Sequence, residues 1–298
     1  MHPVRSEYDI KDGNFKNLAR ALTKVENDLQ GGQEILQNLA PSPECVVLGI
    51  TGPPGAGKST LVNSMINQLS AENKRIAVLA IDPTSPFNLG SLLGDRIRMT
   101  EQFNKPNVYI RSIATRGSLG GLSAKTIEIV DVLKSAGFDY ILVETVGVGQ
   151  SEVEIVGLAD MTIVVLVPES GDEIQSIKSG LMEIADIFVV NKSDRDGAEA
   201  FANNLKKLVQ QKVNHVPVIK TVAERGDGVP ELLQAIKSNS ALENLRKPYL
   251  LAEKAWKLIQ HQRMTDIDKK KLQQDIAEAS KKSDFNLYRY VDTLLKSS

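Results

Sequence analysis

The chain has 298 residues, 42% hydrophobic and 24% charged, with a formal net charge of −1. That balance suits a chain that buries a full core, and it excludes a global basic field for nucleic acid or an anionic membrane surface. The single cysteine, Cys45, excludes an internal disulfide and a cysteine-rich metal site, and His2, His215 and His261 are too scattered for ligand spacing.

The first residues, Met-His-Pro-Val-Arg-Ser-Glu-Tyr, lack the apolar segment of a signal peptide, and no later run is long enough to span a membrane. A cytoplasmic protein is the expectation. Phe15, Leu18, Ala19, Leu22, Val25 and Leu29 recur at helical spacing over 14–30, and a shorter helix is expected over 33–40, ending before Pro41. Apolar runs then alternate with helical segments. Strands are predicted at 45–50, 75–81, 108–113, 139–144, 161–167, 186–190 and 216–220. Helices are predicted at 59–70, 121–136, 172–184, 196–212 and 229–238. Runs such as Thr162-Ile-Val-Val-Leu-Val167 are apolar throughout, as strands covered on both faces are. The pattern predicts an α/β fold with a doubly wound, mostly parallel sheet. Beyond 240 the strands stop, and helices at 244–262, 268–281 and 285–296 carry Trp256, Ile259, Ile276, Leu287 and Val291 among many charges. Such a tail either wraps the main domain or pairs with a second subunit. The expected organisation is an N-terminal helical extension (1–42), a phosphate-loop domain (43–240) and a C-terminal helical region (241–298).

Gly52-Pro53-Pro54-Gly55-Ala56-Gly57-Lys58-Ser59 follows the first strand and opens a helix. Glycines let the backbone curl so that its amides face phosphates. Lys58 then reaches β- and γ-phosphate oxygens, the Ser59 hydroxyl serves Mg²⁺, and Thr60 reaches an α-phosphate oxygen. Asn191-Lys192-Ser193-Asp194 follows the strand 186–190. A carboxylate at Asp194 can accept from both the N1–H and the 2-amino group of guanine, a donor pair that adenine lacks. Asn191 is expected to tie this loop to the phosphate loop, and the Lys192 stem to cover the base. Thr221-Val222-Ala223 is placed to offer a backbone amide to the guanine oxygen. GTP is therefore the expected ligand, with GDP as its product.

Asp82 ends the second strand and Glu144 ends the fourth, where carboxylates can serve Mg²⁺; Asp95 is a further candidate, with an ordinary loop or helix-cap acid as its alternative. Gly147 can offer its amide to the γ-phosphate. Gln150 stands three residues beyond Gly147 rather than two, so slow intrinsic hydrolysis is expected. Lys178 or Arg116 can stabilise charge on the transferring phosphoryl group, or can be a solvated loop cation.

Taken with Asp82-Pro-Thr-Ser-Pro-Phe87, Leu93-Gly-Asp95-Arg-Ile-Arg-Met99, Arg116-Gly-Ser-Leu-Gly-Gly121, Glu144-Thr-Val-Gly-Val-Gly-Gln-Ser151 and Gly171-Asp-Glu-Ile-Gln175, these loops resemble the methylmalonyl-CoA mutase-associated GTPases of the MeaB/ArgK type. The resemblance covers about 14–240. It implies a homodimeric, chaperone-like GTPase that gates cofactor loading of an adenosylcobalamin-dependent acyl-CoA mutase and protects it from inactivation. It also implies that Asp172 and Lys178 transmit mutase binding to the nucleotide site, and that the C-terminal helices dimerise. Val222 departs from the family, which has serine there; the backbone amides are unaffected. The alternatives are a nickel-insertion GTPase, for which the chain has few ligands, and service to a different acyl-CoA mutase.

Overall fold

The computed structural model describes residues 10, 13–82, 101–114, 124–145, 155–171, 181–210, 216–240, 247–264, 267, 269–281 and 285–297. They divide into two compact units, Met1–Lys254 and Ala255–Ser298.

The first unit is built on a seven-stranded sheet: β1 (Val46–Thr51), β2 (Ile76–Asp82), β3 (Val108–Ala114), β4 (Tyr140–Thr145), β5 (Met161–Leu166), β6 (Ile187–Val190) and β7 (Val218–Lys220). The spatial order is β3-β2-β4-β1-β5-β6-β7, and every pairing is parallel. Its helices are α1 (Phe15–Glu26), α2 (Gly32–Gln37), α3 (Lys58–Ala71), α4 (Ala124–Lys134), α5 (Leu181–Ile184), α6 (Ala198–Val209) and α7 (Val229–Ser240). The described sheet is thus wholly parallel, and its strands are covered on both sides, as the unbroken apolar runs predict. Leu48, Ile50, Ile163, Val165, Ile187 and Val189 turn to one face, packed with Leu61, Met65 and Leu69 of α3 and Leu232 and Ile236 of α7. Val164, Leu166, Phe188 and Val190 turn to the other face and meet Phe201, Ala202 and Leu205 of α6.

The predicted first helix is shorter than its apolar period. Asn14 caps it by accepting from the amides of Lys16 and Asn17. It stops at Glu26, where the Asn27 side chain donates back to the Thr23 carbonyl and Asp28 takes a left-handed φ of 51°. Helix α1 is fastened to the edge strand β3 by an ion pair between Arg111 and Glu26 (2.5 Å) and by Phe15 against Tyr109 (5.4 Å); Phe15 also meets Phe138 (6.1 Å), and Lys125 of α4 pairs with Asp28 just past the helix end.

Three aspartates hold the edge of the sheet where its strands begin. Asp139, Asp160 and Asp186 each precede a strand and accept a backbone amide at the start of a neighbour: Arg75 (2.8 Å), Val47 (2.9 Å) and Thr162 (2.8 Å). At such an edge the first amides lack ladder partners, and these carboxylates supply them. The Asp186 bond reaches a residue that is itself buried. Asp186→Ala is expected to lower unfolding stability by about 1–3 kcal/mol, the cost of an orphaned buried donor. GTP affinity should stay unchanged. Denaturant titration and calorimetry on the folded variant read both, and an unaltered unfolding midpoint would contradict the role.

Helix α8 (Lys247–Arg263) crosses the division between the units, and α9 (Lys269–Ala279) and α10 (Leu287–Ser297) belong to the second. Within that second unit Phe285 lies against Tyr290, ring centroids 6.2 Å apart.

Candidate nucleotide site

The chain leaves β1 toward β2 on one side and later returns past it to β5 on the other, so the strand order reverses at β1. In open parallel sheets the crevice at such a reversal, beyond the carboxyl ends of the strands, is where ligands bind. Residues 52–57 leave β1 at that place and enter α3.

Two glycines there are steric requirements. Gly52 has φ 139°, and a Cβ on it would stand 2.1 Å from the Val165 carbonyl oxygen. Gly57 has φ 86°, and its Cβ would stand 2.3 Å from Asn191 Nδ2. Any larger residue would push the loop off β5 at the first position and off the 191–194 loop at the second. Lys58 opens α3 with only 7% of its surface exposed, and its ammonium donates to the carbonyls of Gly52 (2.8 Å) and Pro53 (3.0 Å). The cation is thereby folded over the loop whose amides begin the helix, and the positive end of the α3 dipole adds to it. Thr60 follows on the first turn, half-buried.

Glu144 sits next to the end of β4, in register with Ile50 of β1 and Ala80 of β2. The hydroxyl of Ser59 donates to Glu144 Oε1 at 2.6 Å. Beside them the Thr145 hydroxyl lies 3.0 Å from that of Thr51, both buried, which fixes the ends of β1 and β4 to each other. A hydroxyl and a carboxylate at one point are hard oxygen donors of the kind Mg²⁺ takes, so these residues fit that ion. The backbone of Asp82 ends β2, paired with Ala114. The Asp82 side chain lies outside the described residues, as do Asp95, Gly147, Asp172 and Lys178 altogether. Among the described residues no three His, Cys, Asp or Glu gather as a metal cluster.

The 191–194 loop is pinned from two directions. Asn191, 2% exposed, donates from Nδ2 to the Ala56 carbonyl (2.9 Å). Its Oδ1 accepts from the Thr221 hydroxyl (3.0 Å) and the Ala223 amide (3.1 Å). One side chain thus joins three loops that are far apart in sequence. Lys192 has φ 55° and crosses to the Gly55 carbonyl (2.9 Å). The Asp194 side chain is 44% exposed. The Thr221 amide donates to the Val190 carbonyl (2.9 Å), the Val222 amide to the Asp227 carbonyl (3.0 Å) and the Ala223 amide to Asn191, so all three amides expected to be on offer to the guanine oxygen are engaged within the protein.

Arg225 is the neighbour that sequence reading misses. Its Nη1 lies 3.6 Å from Asp194 Oδ2 and its Nε donates to Asp227 Oδ2 at 2.8 Å. The hydrogen bond it donates to Asp227, with the charges of Asp227 and Asp194 adding to it, pushes the guanidinium further up from its already high value. The available signal is faint: an arginine two residues past Ala223, in a Gly-Asp-Gly turn. Cys45 is buried at the start of β1, and burial pushes its thiol up to about 12, so it is an unreactive core residue. Among the described residues no helix is long and apolar enough to cross a membrane.

Comparison with known proteins agrees with this geometry. Residues 18–280 match the family model for methylmalonyl Co-A mutase-associated GTPase MeaB. A protein of Pyrococcus horikoshii named as a GTPase is 46% identical over 263 residues, spanning 85% of this chain and 82% of its own. The Mus musculus methylmalonic aciduria type A homolog, described as mitochondrial, is 39% identical over 74% of this chain and 55% of its own. Among solved structures, a LAO/AO transport system kinase superposes with a TM-score of 0.65 at 25% identity, over 96% of this chain and 88% of that one. The hydrogenase maturation factor HypB of Archaeoglobus fulgidus gives 0.50 at 19%, over 76% of this chain and 99% of that one, which shows a shared fold alone. A match over most of the length, on a wholly parallel sheet with this phosphate loop at its reversal point, has one reading: the chain belongs to the methylmalonyl-CoA mutase-associated GTPases of the MeaB family.

Proposed function

We propose that the chain binds GTP between the 52–59 and 191–194 loops, hydrolyses it to GDP and phosphate, and uses the nucleotide state to signal to an adenosylcobalamin-dependent acyl-CoA mutase, methylmalonyl-CoA mutase above others. The observation that carries the nucleotide reading is the Asn191 to Ala56 bond. It holds the 191–194 loop against the phosphate loop, which supports one ligand reaching from one loop to the other.

In this reading Lys58 exchanges the carbonyls of Gly52 and Pro53 for β- and γ-phosphate oxygens. Amides of residues 55–58 and the start of α3 receive the remaining phosphate charge; Pro53 and Pro54 have none to give. Thr60 reaches the α-phosphate. Ser59 and Glu144, with Asp82 and Asp95 as further candidates, hold Mg²⁺. The ion, when bound, neutralises charge on the β- and γ-phosphates. Gly147 offers its amide to the γ-phosphate. Guanine lies with its N1–H and 2-amino group on Asp194 and its ring along the Lys192 stem, beside Thr221, Val222 and Ala223. Turnover is slow alone, and the partner raises it through residues 171–180, with Asp172 and Lys178 as the transmitting groups. The client reading rests on the family and on the name of the mouse relative. The C-terminal region, 241–298, is assigned to homodimerisation, and the protein is placed in the cytoplasm.

Calorimetry with GTP, GDP and ATP in the presence of Mg²⁺ tests the first part. Both guanine nucleotides should bind with one site per chain and ATP should bind at least about 100-fold more weakly, as the loss of two charge-assisted hydrogen bonds implies. Equal affinity for ATP would remove Asp194 from base reading.

A further inference from the structure

The turn after β7 carries a cation, Arg225, to the carboxylate of Asp194. Val222 and Asp227 pair as an isolated antiparallel bridge, and the amides of Arg225 and Gly226 both donate to the Val222 carbonyl at 3.0 Å. Gly228 closes the turn with φ 75°, where a Cβ would stand 2.0 Å from the Lys220 carbonyl oxygen. The backbone alone therefore fixes where Arg225 starts. Asp227 then fixes where it points, through the 2.8 Å bond to Nε, and the free end of the fork comes to 3.6 Å from Asp194 Oδ2.

We propose that Arg225 is a specificity-determining residue for guanine, holding positive charge on the outer side of Asp194 while the base covers its inner side, with Asp227 as the positioning residue. The proposal rests on the reading of Asp194 as the guanine acceptor.

A carboxylate has about four lone-pair directions, and guanine occupies one on each oxygen, so Arg225 and the base need not compete. With both partners 58% and 44% exposed, the pair contributes little to stability by itself. A base seated on Asp194 changes this. It strips water from one side of the carboxylate, which disfavours the charge. It also lowers the effective dielectric between Asp194 and Arg225, which strengthens their attraction. The ion pair is then worth more with guanine bound than without it, and that difference appears as affinity. Adenine has no donor pair for Asp194 and gains nothing. Arginine suits the position because Nε can be held by one carboxylate while a terminal nitrogen faces another; lysine offers a single point charge.

The test compares GDP, inosine diphosphate and ADP by calorimetry on the full chain, Arg225→Ala, Arg225→Lys, Asp227→Asn, Asp194→Asn and the Arg225→Ala/Asp194→Asn double variant. Arg225→Ala should weaken GDP about three- to tenfold and narrow the preference for GDP over inosine diphosphate, which lacks the 2-amino group, with ADP unchanged. Arg225→Lys and Asp227→Asn should fall between the two. In the Asp194→Asn background, removing Arg225 should have less than about a twofold effect, because the charge it serves is gone. If Asp194→Asn weakens GDP and Arg225→Ala does not, Arg225 has no such role and the base reading survives. If Arg225→Ala costs the same in both backgrounds, it acts on the nucleotide elsewhere and the proposal is overturned. If Asp194→Asn also leaves GDP binding intact, the base reading itself fails and takes the proposal with it.

Discussion

Lys58→Ala should abolish measurable GTP binding while the protein stays folded. The ammonium of Lys58 donates to two carbonyls of its own loop, and the same two bonds turned to phosphate oxygens become charge-assisted on both partners. Each such bond contributes about 1.5–3 kcal/mol, so losing two weakens GTP by about 10²- to 10⁴-fold. The variant also loosens the loop, because the carbonyls of Gly52 and Pro53 lose their donor. Far-ultraviolet dichroism and a thermal melt separate that effect from lost binding. The loop remains anchored by Gly52 beneath Val165 and by Asn191 on Ala56, so a modest drop in melting temperature is expected rather than unfolding. Unchanged affinity by calorimetry in a folded variant would refute the phosphate-loop assignment.

Asp194→Asn should change which nucleotide is bound. The carboxylate accepts two donors from guanine; an asparagine accepts at one atom and brings its own N–H against the other. GTP affinity should fall by about 10- to 100-fold. Xanthosine triphosphate carries a carbonyl where guanine has its 2-amino group, so the amide N–H gains a partner and that nucleotide should bind better than to the unaltered chain. The substitution is unlike a core mutation, because Asp194 is exposed and its closest charged neighbour is Arg225. A variant with lower GTP affinity and no gain for xanthosine triphosphate would leave Asp194 as a loop-ordering residue only.

The seven strands are legible in the sequence because each is an apolar run long enough for one strand and too short for a helix, and parallel strands covered on both faces need no alternation. The last is shorter than its run: Pro217 has no amide to give, and β7 begins at Val218. The phosphate loop is legible for a related reason, since glycines at fixed offsets after a strand leave few conformations. Lys58, Ser59 and Asn191 could be named before the fold because strand ends place them. The tie from Asn191 to the phosphate loop is likewise expected, but not its acceptor at Ala56, nor the bond from Ser59 to Glu144. Ser59 meets Glu144 across 85 residues and Asn191 meets Ala56 across 135, distances that only the strand order β4-β1-β5-β6 closes. The aspartates 139, 160 and 186 sit one residue before a strand, where a sequence reader sees loop acids; their role depends on which strand is next door. Arg225 is the clearest case. Its approach to Asp194 is produced by the backbone of a seven-residue turn, and no periodicity encodes it.

Helix α1 shows local chemistry overriding pattern. Leu29 continues the apolar period of Leu22 and Val25, yet the helix has already ended, because Asn27 turns its amide back on Thr23 and Asp28 adopts a left-handed conformation. Asparagine and aspartate in sequence are a better stop signal there than Gly31 and Gly32, which follow.

The most direct measurement of the whole account is the rate of GTP hydrolysis by the full chain alone and with methylmalonyl-CoA mutase from the same organism, with the mutase loaded and unloaded with cofactor. Slow turnover alone and strong stimulation by the mutase is the result the account predicts. Tight GTP binding with a rate that the mutase leaves unchanged would contradict it, keeping the nucleotide site and removing the mutase as client.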